Sequence, residues 1–303
     1  MANKNEKLGT LLAFLAAVIS GFSIFANKVF IISLDPLVFT SVRAILIGLI
    51  FLILSFHRNR WKFRDFKKVP WKYLLAIGIV GGGVAFFLFF SGLKITTSGR
   101  AAFLQKTLPL YVTALAFLFL KEKISRKQVA ALLLMLIGTV VLFSSEIPPA
   151  ELWLSPMFGD LLVAAATILW AVENIISRKA MIQGENNFVV SFARMTFGAL
   201  ILFGILLLSG NFYSLFSLSQ TQWTYILIST AILFAYILTY YWSISCINVS
   251  KASSILLISP VITLILGIVF LNEPAPAIQL VGSLAILAGA YLISNIKSEF
   301  SKI

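Results

Sequence analysis

The sequence predicts an all-α polytopic membrane protein with ten transmembrane helices, arranged as two inverted five-helix repeats. The first observation is composition: 60% of the 303 residues are hydrophobic and 12% are charged, whereas about a quarter of the residues in a soluble domain are charged. The second is a set of ten apolar runs, each long enough to cross about 30 Å of hydrocarbon as a helix. The third is an internal repeat that relates the two halves of the chain.

The apolar runs predict helices because the short alternating segments typical of membrane β-barrels do not occur. The first run, from Leu8, is longer than the core of a signal peptide and has a counterpart beginning near Asp160, so we expect a retained helix. The ten predicted spans are 8–32, 36–56, 73–93, 100–120, 127–145, 157–179, 188–209, 222–245, 252–271 and 276–296.

The internal repeat is clearest in the stretches "LPLYVTALAFLFLKEKIS" and "SPVITLILGIVFLNEPAP". Pro109 and Pro260 occupy matching positions in them, 151 residues apart, and the same offset relates Arg43 to Arg194. The first and sixth apolar runs align at an offset of 150. We therefore predict a tandem duplication.

The predicted repeats are residues 1–147 and 148–303, with five crossings each. Because five is an odd number, the second repeat must enter the membrane in the opposite orientation to the first. Inverted repeats recur in secondary transporters, whose substrate site lies near the midplane between the repeats. Two such halves can exchange conformations, so that a shared cavity opens to each side in turn.

The basic residues predict the orientation of these helices. Of 24 Lys and Arg residues, 18 fall in loops or tails on one side, two on the other, and four within the spans. The positive-inside rule then places both termini in the cytoplasm, in a multi-pass protein of the cytoplasmic membrane. The net charge of +13 is thus a topology signal, and we expect the basic run "HRNRWKFRDFKK" to be a cytoplasmic loop that does not bind nucleic acid.

Each repeat carries "P-x(9)-F-L-x-E" before its last helix, together with "GRAAFLQKTLP" or "SKASSILLISP" and, in the second repeat, "LWAVENIISRK". These motifs resemble those of the EamA-type members of the drug/metabolite transporter superfamily, over nearly the whole chain. The resemblance implies a secondary transporter of a small metabolite, and we expect it to export an amino acid or a similar amphipathic compound. It does not select the substrate, since the superfamily carries amino acids, nucleotide-derived metabolites and others. The first repeat departs from the family at Ser20-Gly21, where Trp is commoner.

A polar stripe on the sixth helix is the strongest candidate for a substrate-binding surface, because polar groups deep in a bilayer are costly unless they face protein or water. Glu173 is the one acidic residue well inside a predicted span, and its neighbours on the stripe are Trp170, Asn174 and Ser177. The first helix is also polar at three of the four matching positions: Ser20, Ser23 and Asn27. The alternative is inter-helix hydrogen bonding that only packs the bundle.

Lys106 and the adjacent Gln105 form a second candidate substrate contact, in the fourth helix. The counterpart of Lys106 in the second repeat is Leu257, so symmetry does not require this charge. Snorkelling towards the outer headgroups is the alternative. On the eighth helix, Tyr236 and Tyr240 share a face, and the resemblance implies that they line the cavity, with ordinary packing as the alternative.

The sequence predicts structural roles for two prolines, three arginines, one lysine and a run of glycines. Pro109 and Pro260 are predicted hinges, because proline removes a helix hydrogen bond. Three groups of residues are interpreted as structural: Arg43 and Arg194 as architectural, Arg100 and Lys251 as interfacial anchors, and the run Gly81-Gly82-Gly83 as a place of close helix packing.

Catalytic chemistry has little support in the sequence. His57 is the single histidine and Cys246 the single cysteine, and no metal cluster or nucleophile motif occurs. We therefore expect no enzyme activity, no metal and no cofactor; a channel or a non-transporting sensor or assembly partner stays open. The expected partners are the lipid bilayer and a small-molecule substrate, with protons as a candidate coupling ion through Glu173. The expected assembly is a monomer or a weak homodimer.

Overall fold

The computed structural model describes residues 2–30, 33–59, 70–145 and 155–298. Within these ranges the regular secondary structure is helical, and ten helices are long and apolar enough to cross a membrane. The predicted fold class, a polytopic helical membrane protein, is confirmed. The first helix begins earlier than its apolar run, because the polar residues that precede the run also adopt helical structure.

The membrane-spanning helices, in chain order, are α1 (Ala2–Phe30), α2 (Pro36–Asn59), α3 (Trp71–Leu93), α4 (Gly99–Phe119), α5 (Arg126–Phe143), α6 (Phe158–Ile182), α7 (Asn187–Leu208), α8 (Gln220–Cys246), α9 (Val249–Leu271) and α10 (Ala277–Ser294). A short 3₁₀ helix, Asn211–Leu215, lies between α7 and α8.

Side-chain caps define the starts of several helices. At α2, the Asp35 carboxylate accepts hydrogen bonds from the backbone N–H groups of Leu37 at 2.8 Å and Val38 at 3.1 Å. At α5, the Ser125 hydroxyl accepts from the backbone of Gln128 at 3.1 Å. These oxygens satisfy N–H groups that have no partner within the helix, which fixes where each span begins.

The two halves of the chain interlock rather than stand side by side. The most extensive helix contacts are α1 with α8 and α9, α6 with α3 and α4, α2 with α7, α3 with α7, α4 with α9 and α5 with α10. Each of these contacts joins one of the first five helices to one of the last five. Polar side chains on the faces between the halves therefore lie inside the bundle.

The glycine run of α3 allows this helix to approach α6 and α7 closely. Residues Ile77–Val84 form a π-helix. A Cβ at Gly81 would overlap the side chain of Glu173, and a Cβ at Gly82 would overlap the backbone carbonyl of Arg194. The predicted role in close packing is confirmed.

Helices α4 and α9 are both interrupted just before their prolines. In α4 the first segment ends at Gln105 and the second segment is Leu108–Phe119, and in α9 a 3₁₀ turn at Leu256–Ile258 precedes the segment Ser259–Leu271. Proline has no N–H and its ring clashes with the preceding turn, so the α-helical ladder cannot continue unchanged. The breaks therefore lie at the predicted hinges, Pro109 and Pro260, whose bending during function stays a prediction.

Candidate functional site

Glu173 lies at the centre of a charged cluster between α6, α7 and α8, with its side chain 0% exposed. Its Oε1 accepts hydrogen bonds from the Ser177 hydroxyl at 2.6 Å and from the Tyr241 hydroxyl at 2.5 Å. Nε of Arg194 lies 3.8 Å from its Oε2, and Nη1 of Arg194 donates to the Tyr241 hydroxyl at 3.2 Å. We call Glu173, Ser177, Arg194 and Tyr241 the Arg194 cluster.

The Arg194 cluster balances charge inside the membrane but leaves two polar atoms without hydrogen bonds. Among the described residues, neither Oε2 of Glu173 nor Nε of Arg194 has a hydrogen-bond partner. Their separation of 3.8 Å exceeds the usual range of about 2.7–3.2 Å. The attraction within a buried ion pair offsets the cost of desolvation only when the geometry is good. We therefore expect the Arg194–Glu173 pair to change its geometry when its surroundings change.

The rest of the α6 stripe is bonded to aromatic residues of α8 and to α3. Nδ2 of Asn174 donates to the backbone carbonyl of Trp170 at 2.8 Å, and its Oδ1 accepts from the Tyr240 hydroxyl at 2.7 Å. The Trp170 indole donates to the carbonyl of Gly81 at 3.0 Å, within the π-helical part of α3. Tyr236 stacks on Tyr240 with ring centroids 5.8 Å apart.

The polar stripe of α1 forms a second cluster, with α2 and α8. Nη1 of Arg43 donates to the Ser229 hydroxyl at 2.7 Å, which in turn donates to Oδ1 of Asn27 at 2.7 Å. Nδ2 of Asn27 donates to the Ser23 hydroxyl at 3.2 Å. We call Ser23, Asn27, Arg43 and Ser229 the Arg43 cluster. Ser20 lies on the same stripe and is partly exposed.

The two clusters occupy matching positions but differ in charge. Arg43 and Arg194 are 151 residues apart, and Ser23 and Glu173 are 150 apart. Arg194 therefore lies near a carboxylate, whereas Arg43 has hydroxyl and carbonyl partners and lies 3.9 Å from the centre of the Phe39 ring. The partners of Arg194 are the side chains of Glu173 and Tyr241, and the architectural interpretation of the two arginines stays a prediction.

Lys106 connects the two interrupted helices. It lies at the break in α4, and its Nζ donates to the Ser259 hydroxyl, at the break in α9, at 2.8 Å. Ser259 is fully buried, whereas Lys106 and Gln105 are partly exposed. The bond to α9 directs the ammonium group between the helices, which disfavours the snorkelling alternative.

Two buried ion pairs join the repeats at the helix starts. Arg100 at the start of α4 pairs with Asp160 of α6 at 2.6 Å, and Lys251 at the start of α9 pairs with Glu6 of α1 at 2.8 Å. Arg100 and Lys251 are matching positions of the repeats, and both are buried, with 6% and 2% of their surface exposed. Each is held by a carboxylate of the other repeat, and a position at the membrane interface stays a prediction.

Sequence reasoning missed several partners that complete these clusters: Tyr241, Ser229, Ser259, Asp160 and Glu6. Isolated serines carry no signal in an apolar sequence, and the two acids lie near helix ends, where acids are common. The pairing of Arg43 with Arg194 by the repeat was the available signal for the arginines. The predicted residues fall in three places: the Arg194 cluster with its aromatic neighbours, the Arg43 cluster, and the Lys106–Ser259 contact.

One cleft and the possible metal-ligand groups of the described residues were compared with the predicted site residues. A cleft of about 190 Å³ lies between the α1–α2 connection and the start of α8, and none of the predicted site residues lines it. Among the described residues, no three His, Cys, Asp or Glu side chains are grouped so that they could hold a metal ion.

The whole length of the chain, apart from its ends and a short connection, matches a known family. Residues 7–144 and, separately, residues 157–295 match the EamA-like transporter family. The chain belongs to this family. The resemblance found in the sequence motifs is thereby confirmed, and the protein is a multi-pass membrane protein of a transporter family.

Individual relatives share the full length of this EamA-family chain. The uncharacterized transporter YoaV of Bacillus subtilis is 27% identical over 284 residues, which cover 91% of this chain and 92% of the relative. A probable amino-acid metabolite efflux pump of Salmonella typhimurium is 29% identical over 291 residues, 93% of each chain. A protein solved by crystallography has the same fold, with a TM-score of 0.74 and 20% identity over 95% of this chain and 98% of its own.

Proposed function

We propose that this EamA-family protein is a secondary active transporter that exports a small amphipathic metabolite, an amino acid or a similar compound, across the cytoplasmic membrane by alternating access. The observation that carries the proposal is the interlocking of the two halves. If each helix is exchanged for the one five positions later or earlier, the α1–α8 contact becomes the α6–α3 contact, and the α1–α9 contact becomes the α6–α4 contact. Such exchange of equivalent contacts supports two repeats in opposite orientations, which can swap conformations.

The two ion pairs at the helix starts supply closing contacts for such a cycle. Five crossings separate the start of α1 from the start of α6, so in the inverted arrangement the pairs lie at opposite membrane faces. The excess of Lys and Arg on one side supports a cytoplasmic position for Lys251–Glu6 and an external one for Arg100–Asp160. Opening of the cavity to one membrane face would separate the ion pair at that face, while the ion pair at the other face stays intact.

The Arg194 cluster is the proposed coupling element. While Arg194 lies beside Glu173, the guanidinium balances the charge of the carboxylate. If the exchange of conformations moves Arg194 or the Tyr241 hydroxyl away, an unpaired carboxylate in a low-dielectric interior is strongly disfavoured, which makes Glu173 the candidate group for proton coupling. The groups that face Glu173 are Ser177 from its own helix, Arg194 from α7 and Tyr241 from α8.

Export of an amphipathic compound is supported by the aromatic side chains around the polar stripe and by the relative named as an efflux pump. Trp170 contacts the rings of Phe86 and Phe89 at centroid distances of 5.2 and 5.3 Å, and Tyr236 stacks beyond Tyr240. Aromatic surfaces with a few polar groups are typical of small-molecule sites.

Reconstitution of the purified protein into liposomes tests the proposal. Vesicles are loaded with a small-molecule extract of cells, and the compounds lost from protein-containing but not from empty vesicles are identified by mass spectrometry. A carrier gives saturable flux of a compound and its accelerated exchange against the same compound outside. Ionic conductance without exchange would indicate a channel, and the absence of both would contradict transport and favour a sensor or assembly partner.

A further inference from the structure

The charges inside the bundle do not balance. Three buried acids of the described residues are engaged by neighbours: Glu173 by Arg194, Asp160 by Arg100, and Glu122 by the start of α9 through its backbone and Ser250. Among the described residues, no carboxylate forms an ion pair with Lys106 or with Arg43. Within the part of the chain that the structure describes, Lys106 and Arg43 are therefore interior cations that no neighbouring acid neutralises.

Arg43 and Lys106 differ in how far neutral partners satisfy them. Arg43 donates to the carbonyl of Phe39 and to the hydroxyls of Thr40 and Ser229. Its guanidinium also lies over an aromatic ring, which stabilises a cation further. Lys106 makes one hydrogen bond, to Ser259, although an ammonium group has three N–H donors. Its remaining donors and its charge are therefore free to meet a ligand.

The position of Lys106 is suited to a transported ligand. It lies seven residues into α4, roughly 10 Å along the helix from Gly99, so it is well below the membrane surface. It is partly exposed and points at the place where both interrupted helices meet, whereas the matching position of the second repeat is the uncharged Leu257. An unpaired charge at this depth is costly and is typical of a functional site.

We propose that Lys106 and Ser259 form a carboxylate subsite, so that the transported compounds are carboxylate-bearing metabolites recognised by their negative charge. The proposal rests on the proposed transport function and specifies its substrate class. The ammonium nitrogen and the serine hydroxyl each donate to a carboxylate oxygen, which gives charge-assisted hydrogen bonds in a low-dielectric setting. Glu173 does not serve as the partner of a substrate amino group, because Arg194 already balances it. A compound with the carboxylate but without an amino group is therefore accepted.

The test uses the compounds released from extract-loaded vesicles by the wild-type protein. We expect every compound that shows exchange to carry a carboxylate, and we expect its amide, prepared from it, to compete at least about tenfold less well, since a charge-assisted bond is lost. The analogue that lacks only the amino group should compete within about threefold of the parent, because no counter-charge for that group is lost.

Variants then locate the subsite. Lys106→Met should raise the KM of the exchanged compound at least about tenfold, Lys106→Arg should recover much of the loss, and Ser259→Ala should have a smaller effect. The matched control is Lys94→Met, an exposed lysine before α4, which should leave KM unchanged. Thermal unfolding in detergent checks that each variant folds.

The possible outcomes distinguish failure of the carboxylate subsite from failure of the proposed transport function. If the wild-type protein exchanges no compound, the proposed function fails. If it exchanges compounds that lack a carboxylate, or if Lys106→Met folds and keeps the wild-type KM, transport stands and the carboxylate subsite is overturned.

Discussion

Nε of Arg194 lies 3.8 Å from Oε2 of Glu173, whereas no acid among the described residues pairs with the matching arginine, Arg43. In the first repeat, serine replaces the acid, and Arg43 is held by Ser229 instead. The duplication has therefore kept an arginine on the second helix of each repeat while its partners have diverged. One repeat holds an ion pair, and the other holds an arginine whose hydrogen-bond partners are uncharged. This asymmetry is the basis of the first prediction.

Replacement of Glu173 should separate net transport from exchange. We expect Glu173→Gln to lower net flux driven by a pH gradient at least about tenfold, because the amide cannot carry the proton, while exchange of labelled for unlabelled substrate stays within about threefold. Both are measured in proteoliposomes at several pH values, and exchange in the variant should not respond to pH.

The control for this experiment is Glu185→Gln, which alters an acid in the connection between α6 and α7. Loss of exchange together with net flux would make Glu173 a substrate ligand instead of a coupling group. If Glu173→Gln transports at the wild-type rate and with the wild-type pH dependence, Glu173 has only a packing role.

Removal of the hydroxyl group should lower the stability of the protein more at Tyr241 than at Tyr240. Tyr241→Phe removes the donor to the Glu173 carboxylate, whereas Tyr240→Phe removes a donor to the neutral amide of Asn174. Hydrogen bonds to charged groups contribute about 1.5–3 kcal/mol and neutral ones about 0.5–1.5 kcal/mol. Thermal unfolding in detergent should therefore show the larger loss of stability for Tyr241→Phe, and the reverse order would contradict a charge-assisted hydrogen bond from Tyr241 to Glu173.

The ion pairs Arg100–Asp160 and Lys251–Glu6 should control access of water-soluble reagents to the interior from opposite membrane faces. We expect Asp160→Asn to increase the reaction of Ser23→Cys with a membrane-impermeant thiol reagent added outside, in a background where Cys246 is replaced by Ala. Glu6→Gln should reduce that reaction, because loss of the other pair favours opening to the cytoplasm. The readout is the labelled fraction against time in intact cells.

The control for access is a charge swap. Arg100→Asp combined with Asp160→Arg should restore the wild-type labelling rate if the ion pair itself closes the outer face. Equal labelling in Asp160→Asn, Glu6→Gln and the parent would show that neither pair limits access.

Reporter fusions test the orientation of the chain. Fusions after Lys302 and within 60–68 should report the cytoplasm, and a fusion near Glu151 should report the exterior, because 18 of the 20 loop or tail basic residues lie on one side. These fusion points lie outside the described residues. A fusion near Glu151 on the same side as one within 60–68 would contradict the inverted-repeat arrangement.

The class of protein, the number of spans and the duplication were predictable from the amino-acid sequence, because hydropathy and residue counting depend only on the order of the residues. The π-helix of α3 was not predicted, although its glycines were expected to pack closely. The sequence also predicted the stripe on α6, since the spacing of Glu173, Asn174 and Ser177 alone places them on one helix face.

The sequence by itself thus determined which residues of this protein lie inside the membrane and which helix faces are polar. Only the tertiary structure decided which groups meet, since partners such as Arg43 and Ser229, or Lys106 and Ser259, are 186 and 153 residues apart in the chain. Their contact depends on the rotation and depth of each helix, which packing between the two halves sets. For this reason the charge of Glu173 proved balanced and that of Lys106 did not, a difference that no local pattern of residues contains.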